Sequence, residues 1–276
     1  MTINRESVIE KLKDLKDKGY IVPSEDMIAT NEEIQKIKDV ARINTRVLNL
    51  IEKNIKLGIT AKDLNTIAHD FIVYQGASPK LLGYQNHLTN EKYDKSISVS
   101  INSEVFLGKA DQDKVLKNGD IVNICIPIEY KGYSCEASRM FMIGNVKKED
   151  KRLVKTAKEC LDEAIKSIKP WGCVGDLVDS IEKHAKDNGY GLFYFIGHGV
   201  GLSTLEKLML YSSGLDNNMI LAPGMVLSIQ PVLTQGKNDC CLSDNKLTYY
   251  TADGKLAARW THSILVTEDG VEILAN

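Results

Sequence analysis

The sequence predicts a mixed α/β chain of the α+β kind: a pseudo-symmetric, duplicated unit in which helices cover an antiparallel sheet. Three observations carry that expectation. Helical stretches cover residues 30–57, 60–75, 148–168 and 175–189. Strand-like segments follow each pair, so the order helix–helix–strands occurs twice. A short pattern also recurs at the same spacing: Ile55-Lys56 followed by Asp63-Leu64, then Ile168-Lys169 followed by Asp176-Leu177.

Taken in order, residues 1–29 form an N-terminal extension with an apolar stripe of Val8, Ile9, Leu12 and Leu15 among charged residues. The expectation is a short helix docked on the main domain, with a partner-binding arm as the other reading. The main domain then spans 30–276. Thr30-Asn31-Glu32-Glu33 is a capping box that opens the first long helix, and Gly58 ends it. After the irregular, strand-like 76–117, the stretch from Asn118 to Gly144 reads as a hairpin. Its first arm carries Ile121, Val122, Ile124, Ile126 and Ile128, the turn is Tyr130-Lys131-Gly132, and the return runs from Ser134 to Ile143. Pro170 and Gly172 separate the two helices of the second half.

Composition narrows the function classes. At 276 residues and 43% hydrophobic, the chain can bury a full core. A formal net charge of −2 gives no electrostatic reason to expect nucleic acid or an anionic membrane. No apolar run reaches the roughly 20 residues of a membrane span. The first twenty residues, rich in Lys, Glu and Asp, do not read as a signal peptide. Six cysteines without CxxC spacing suggest reduced thiols, so the expected setting is cytoplasmic.

The residues that could carry chemistry lie on the hairpin and on three later motifs. Cys125 and Glu136 stand on opposite arms, where their side chains can enter one pocket. Ile196-Gly197-His198-Gly199-Val200-Gly201 reads as a loop in which glycines hold an imidazole at an open position. Pro223-Gly224-Met225-Val226-Leu227-Ser228-Ile229-Gln230-Pro231 and Ala258-Arg259-Trp260-Thr261-His262-Ser263 read as strands.

These motifs, in this order and spacing over about residues 31–275, resemble the methionine aminopeptidase family, the pita-bread metallopeptidases. The resemblance implies the pita-bread fold, with Cys125, Glu136, His198, Gln230 and Thr261 converging on one cleft. The family's dinuclear metal site uses two aspartates, one histidine and two glutamates. By position the aspartates fall on Cys125 and Glu136, the histidine on His198, and the glutamates on Gln230 and Thr261. A substrate-holding histidine falls on Leu107, a further histidine near Leu205, and a pocket phenylalanine on Thr204. Tyr84 and Tyr93 match pocket tyrosines. Creatinase-like relatives support metal-free chemistry, but the histidine they favour is also at Leu107.

Two dications brought together need anionic ligands to offset desolvation and repulsion. Glu136 is the one carboxylate among those five positions, and Gln and Thr bind such ions weakly. The expectation is therefore a methionine aminopeptidase-like protein with a degraded metal site. It would be a pseudoenzyme binding a peptide or protein N-terminus or a small molecule, or a metal-independent enzyme using His198 and Glu136. No cofactor is favoured. The alternative is a divergent aminopeptidase with a single divalent metal such as zinc on Cys125, Glu136 and His198, which make an acceptable zinc set. Cys135 is expected on the face opposite Glu136, as neither ligand nor disulfide partner.

Overall fold

A computed structural model describes residues 2–86, 89–212 and 218–276. Among the described residues five α-helices frame the chain: α1 (Arg5–Asp17), α2 (Asn31–Asn54), α3 (Ala61–Tyr74), α4 (Lys148–Ser167) and α5 (Val174–Asp187). The short repeated pattern has a physical reason. Asp63 and Asp176 each sit at the third position of a helix and accept a backbone N–H from the capping residue, Thr60 and Cys173. The leucine that follows each, Leu64 and Leu177, is fully buried.

The hairpin forms, but each arm is broken once. The outer segments are β2 (Ile121–Cys125) and β5 (Ser138–Met142), which pair with each other in register, Cys125 opposite Ser138. Together with β1 (Ser98–Ile101) they make a three-stranded antiparallel sheet. The inner segments, β3 (Ile128–Tyr130) and β4 (Tyr133–Cys135), pair separately beside the short strand Ser78–Pro79. Pro127 at one break cannot donate a ladder hydrogen bond. The other break contains Glu136.

The second half builds a larger antiparallel sheet. Met209–Tyr211 pairs with β6 (Phe195–Gly199), then come β7 (Val226–Ile229), β10 (His262–Val266) and β11 (Val271–Ala275). Between β7 and β10, the strands β8 (Val232–Thr234) and β9 (Ala257–Arg259) pair in a separate sheet. The stretch read as a loop around His198 is thus a strand. Gly197 allows it: a Cβ there would lie 2.3 Å from the Ser228 carbonyl oxygen, so only glycine lets β6 and β7 approach this closely.

Among the described residues, beside two small apolar clusters, two large ones form most of the core. One lies under α2 and α3 against β1, β2 and β5, and the other under α4 and α5 against the five-stranded sheet. The N-terminal extension packs on the second cluster through Ile3, Val8 and Leu12. Arg5 donates to the carbonyls of Ile28 and Glu25, which ties α1 to the segment leading into α2. The halves meet where Ser138 and Thr261 exchange backbone hydrogen bonds of 3.1 and 3.3 Å. No helix among the described residues is long and apolar enough to cross a membrane.

Candidate functional site

Strand register builds one wall of the site. His198, Ser228 and Ser263 are neighbours across β6, β7 and β10, so their side chains share one face of the sheet. Gln230 follows Ser228 by two residues and points the same way. All four aim at Glu136, which the other half delivers at its hairpin break. His198 Nε2 lies 2.9 Å from Glu136 Oε1, Ser228 Oγ donates to the same oxygen, and Gln230 Nε2 is 3.4 Å from it. Ser263 Oγ donates to the Glu136 carbonyl at 2.7 Å. The residue is held by its carboxylate and by its backbone at once.

The electrostatics follow from that clasp. Burial alone would raise the Glu136 carboxyl; the charge and hydrogen bond of His198, the Ser228 hydroxyl and the Arg259 charge outweigh it and hold the group ionised. Burial would lower the His198 imidazole, but the Glu136 charge and hydrogen bond raise it above its ordinary value. Ring geometry agrees. His198 Nδ1 is 2.9 Å from the Gly199 carbonyl and Nε2 faces a carboxylate, so both nitrogens meet acceptors, as in an imidazolium.

The other wall comes from β2. Asn123 and Cys125 are two apart and share a face. Asn123 Nδ2 donates to the Arg259 carbonyl and to Ser138 Oγ, while its Oδ1 accepts from Arg259 Nη2 at 2.8 Å. Cys125 is buried, and burial pushes its thiol up to about 12, against the opposing pull of Arg259. Cys135 is likewise buried and free, its thiol also pushed up to about 12 by burial. Among the described residues, no three His, Cys, Asp or Glu side chains are grouped so as to hold a metal ion.

The cavity between these walls has a volume of about 450 Å³. Cys125, Glu136, His198 and Gln230 line it, together with Tyr84 and Leu107. Cys135 lines it as well, although strand alternation had turned it away; the hairpin break at Glu136 interrupts the alternation. Three expected residues lie elsewhere. Thr261 is fully buried beneath the site, with its hydroxyl accepting from Ser138 at 2.8 Å. Tyr93 is a core residue whose hydroxyl donates to the carbonyls of Ile97 and Gly108. Thr204 Oγ1 donates to the Asp26 carbonyl, away from the cavity. The side chain of Leu205 lies outside the described residues.

Sequence reasoning missed most of the lining. Phe106, Phe193, Tyr194 and Phe195 form an aromatic side, with Phe106 and Phe193 ring centroids 5.3 Å apart. Lys80 and Ser134 both bond Glu206 at the rim. Arg259 is 5% exposed and stacks over Phe106 at 4.6 Å. The one available signal for Arg259 was a cation inside a strand whose neighbours are apolar.

Comparison with known proteins fits this architecture. Residues 35–268 match the profile of metallopeptidase family M24. Methionine aminopeptidase A of Synechocystis sp. is 34% identical over 250 residues, covering 90% of this chain and 96% of that protein. The methionine aminopeptidase of Escherichia coli (strain K12) is 33% identical over 250 residues, covering 90% and 92%. The crystal structure of the Rickettsia prowazekii methionine aminopeptidase superposes with a TM-score of 0.84 at 31% identity, over 90% of this chain and 99% of that one. With sequence, register and fold in agreement, the chain belongs to metallopeptidase family M24, among the methionine aminopeptidases, and has the pita-bread fold.

Proposed function

We propose that this chain is a methionine aminopeptidase-like protein whose cleft no longer runs two-metal hydrolysis. The observation that carries the reading is the state of Glu136. Its Oε1 faces donors from His198, Ser228 and Gln230, and Arg259 stands nearby. The protein's own cations and dipoles occupy the electrostatic role that divalent ions would play beside a carboxylate.

The donor set does not fit a pair of dications. Of the five family positions, Gln230 and Thr261 are neutral, and the Thr261 hydroxyl is engaged with Ser138. Cys125 would have to lose a proton from a thiol that burial pushes up to about 12. A fixed guanidinium at the cavity wall adds repulsion to each arriving ion. A peptide or protein N-terminus, or a small molecule, then binds in the cleft without metal assistance.

Two versions share this chemistry, a binding module and a metal-independent enzyme. The 2.9 Å His198–Glu136 contact favours the second reading in one respect. Held at Nδ1 by the Gly199 carbonyl, the His198 imidazolium can give a proton from Nε2 to a substrate that takes the place of Glu136 Oε1. The test for the shared reading is metal analysis of the purified, untagged protein, with a methionyl-peptide assay after addition of cobalt, manganese or iron. Substoichiometric metal and no released methionine are expected. Stoichiometric metal with metal-dependent turnover would restore the aminopeptidase alternative.

A further inference from the structure

We infer that the cleft selects a small ligand carrying a carboxylate, which Arg259 binds while the Phe106–Phe193–Phe195 side holds its apolar body. The inference rests on the reading that no pair of metal ions occupies the cleft. Its basis is a buried cation that interacts with the Glu136 charge but whose own hydrogen-bond partners are all uncharged. Arg259 is 5% exposed, yet among the described residues those partners are two amide oxygens and the Cys125 thiol. Nη1 donates to Gln230 Oε1 at 3.3 Å and Nη2 to Asn123 Oδ1 at 2.8 Å; Nε has no partner, and one face lies on the Phe106 ring.

A guanidinium taken out of water with neutral partners is an unbalanced arrangement, because burial of a charge is offset best by an opposite charge in bidentate geometry. Glu136 does not supply that partner. It makes no hydrogen bond to Arg259, and its Oε1 is committed to His198, Ser228 and Gln230. The other acid of the cavity, Glu206, is engaged with Lys80 and Ser134. The guanidinium lines a cavity of about 450 Å³ with an aromatic side, room for a ligand of modest size. An amine would meet the same cation and be repelled, so of the two ligand classes proposed for the cleft this wall fits the small molecule and not a peptide N-terminus.

The test uses the full chain, treated with chelator and dialysed, and three probes of one shape: 3-phenylpropionate, 3-phenylpropionamide and 3-phenylpropylamine. Calorimetric titration at low salt should give the carboxylate at least about tenfold tighter binding than the amide, and the amine weaker still. Arg259→Gln should erase the preference. Should that variant fail to fold, Gln230→Glu keeps the arginine and places an internal carboxylate at Nη1; it should cut carboxylate affinity by about the same factor. Equal binding of carboxylate and amide, no carboxylate binding at millimolar concentration, or a preference that survives Gln230→Glu would overturn the inference. The outcomes separate from the functional reading. Bound metal with methionine release would defeat that reading whatever the titration gave. A metal-free protein indifferent to carboxylate would defeat this inference alone.

Discussion

The first half of the chain supplies an acid to the cleft, and the second half supplies the donors that hold it. From the hairpin come Glu136 and Cys125, with Asn123 bonded to Arg259; from the later strands come His198, Gln230 and Arg259, with Ser228 bonded to Glu136. The frames of the halves are alike. Each pairs two helices with a sheet, and each pins a close approach with a glycine: a Cβ on Gly108 or on Gly197 would meet a backbone oxygen at 2.3 Å. Packing tolerates little change at such positions, so the frames stay alike. The site residues face a cavity, where sterics are loose and charge balance decides. The difference teaches that the junction of the halves is itself a polarised contact.

Breaking the frame should cost most. Gly197→Ala forces β6 and β7 apart, because the obstructing atom is backbone and cannot rotate away. The expected loss is about 3 kcal/mol or more, or no folded protein at all. Gly108→Ala should do the same in the first half, where Val99 O is the obstacle. Urea unfolding of both variants checks whether the halves are equally intolerant.

Next in size is the junction. Glu136→Gln removes the charge opposite His198 and leaves the Arg259 cation further from balance, at an expected cost of about 3 kcal/mol. The same change should lower the His198 pKa, read by NMR titration of the imidazole. An unmoved pKa would show that the Gly199 carbonyl, not Glu136, fixes the ring.

The pH dependence sharpens the contrast between the two histidines of the large sheet. His262 sits in β10, where burial and then the Lys158 charge push it down to about 4, although the Thr261 carbonyl opposes them. Its folded value is below its unfolded one, so its contribution is complete above about 6.5 and is lost as pH falls through about 4. His198 has the opposite sign: its contribution is present below about 6.5 and fades as pH rises through its raised folded value. Glu136 is lowered, so its share persists above about 4.5 and disappears at lower pH. Stability should therefore start to fall between pH 6.5 and 4 through His262. His262→Asn should flatten that part of a stability–pH curve and leave the His198 titration in place.

Much of this was legible in the sequence because packing has periodic signatures. The helices, the hairpin and the repeated Asp-Leu pair follow from apolar spacing and capping chemistry, which one chain displays by itself. The strand around His198 was not legible, because three glycines in six residues read as a loop; what makes it a strand is the backbone of β7 at close range, a contact absent from local pattern. The family resemblance put Tyr93 on a pocket tyrosine and Thr204 where a pocket phenylalanine falls, but Tyr93 has two backbone acceptors inside the core and Thr204 bonds the N-terminal segment. Arg259 was overlooked for the opposite reason. What sets it apart is that no carboxylate hydrogen-bonds it among the described residues, which only the assembled cleft reveals.

The smallest expected effect concerns how the helices of the halves begin. Thr30 and Thr60 accept from the backbone N–H of Glu33 and Asp63, so both helices of the first half have side-chain caps. In the second half α4 begins after Lys147, which makes no side-chain cap hydrogen bond and places a cation at the positive end of the helix dipole. Its backbone, at φ −62° and ψ 153°, is already in the extended geometry that a capping residue adopts. Lys147 is exposed, so a shorter side chain there disturbs no packing. Lys147→Asp should stabilise the protein by about 1 kcal/mol, the value of one cap plus removal of an unfavourable charge. Thr30→Ala should cost a similar about 1 kcal/mol. Urea midpoints with unchanged slopes would establish both. If Lys147→Asp gave no gain while Thr30→Ala did cost stability, the α4 terminus would be set by its tertiary contacts, such as the Gln235 donation to Asp150 at 2.7 Å, rather than by its cap.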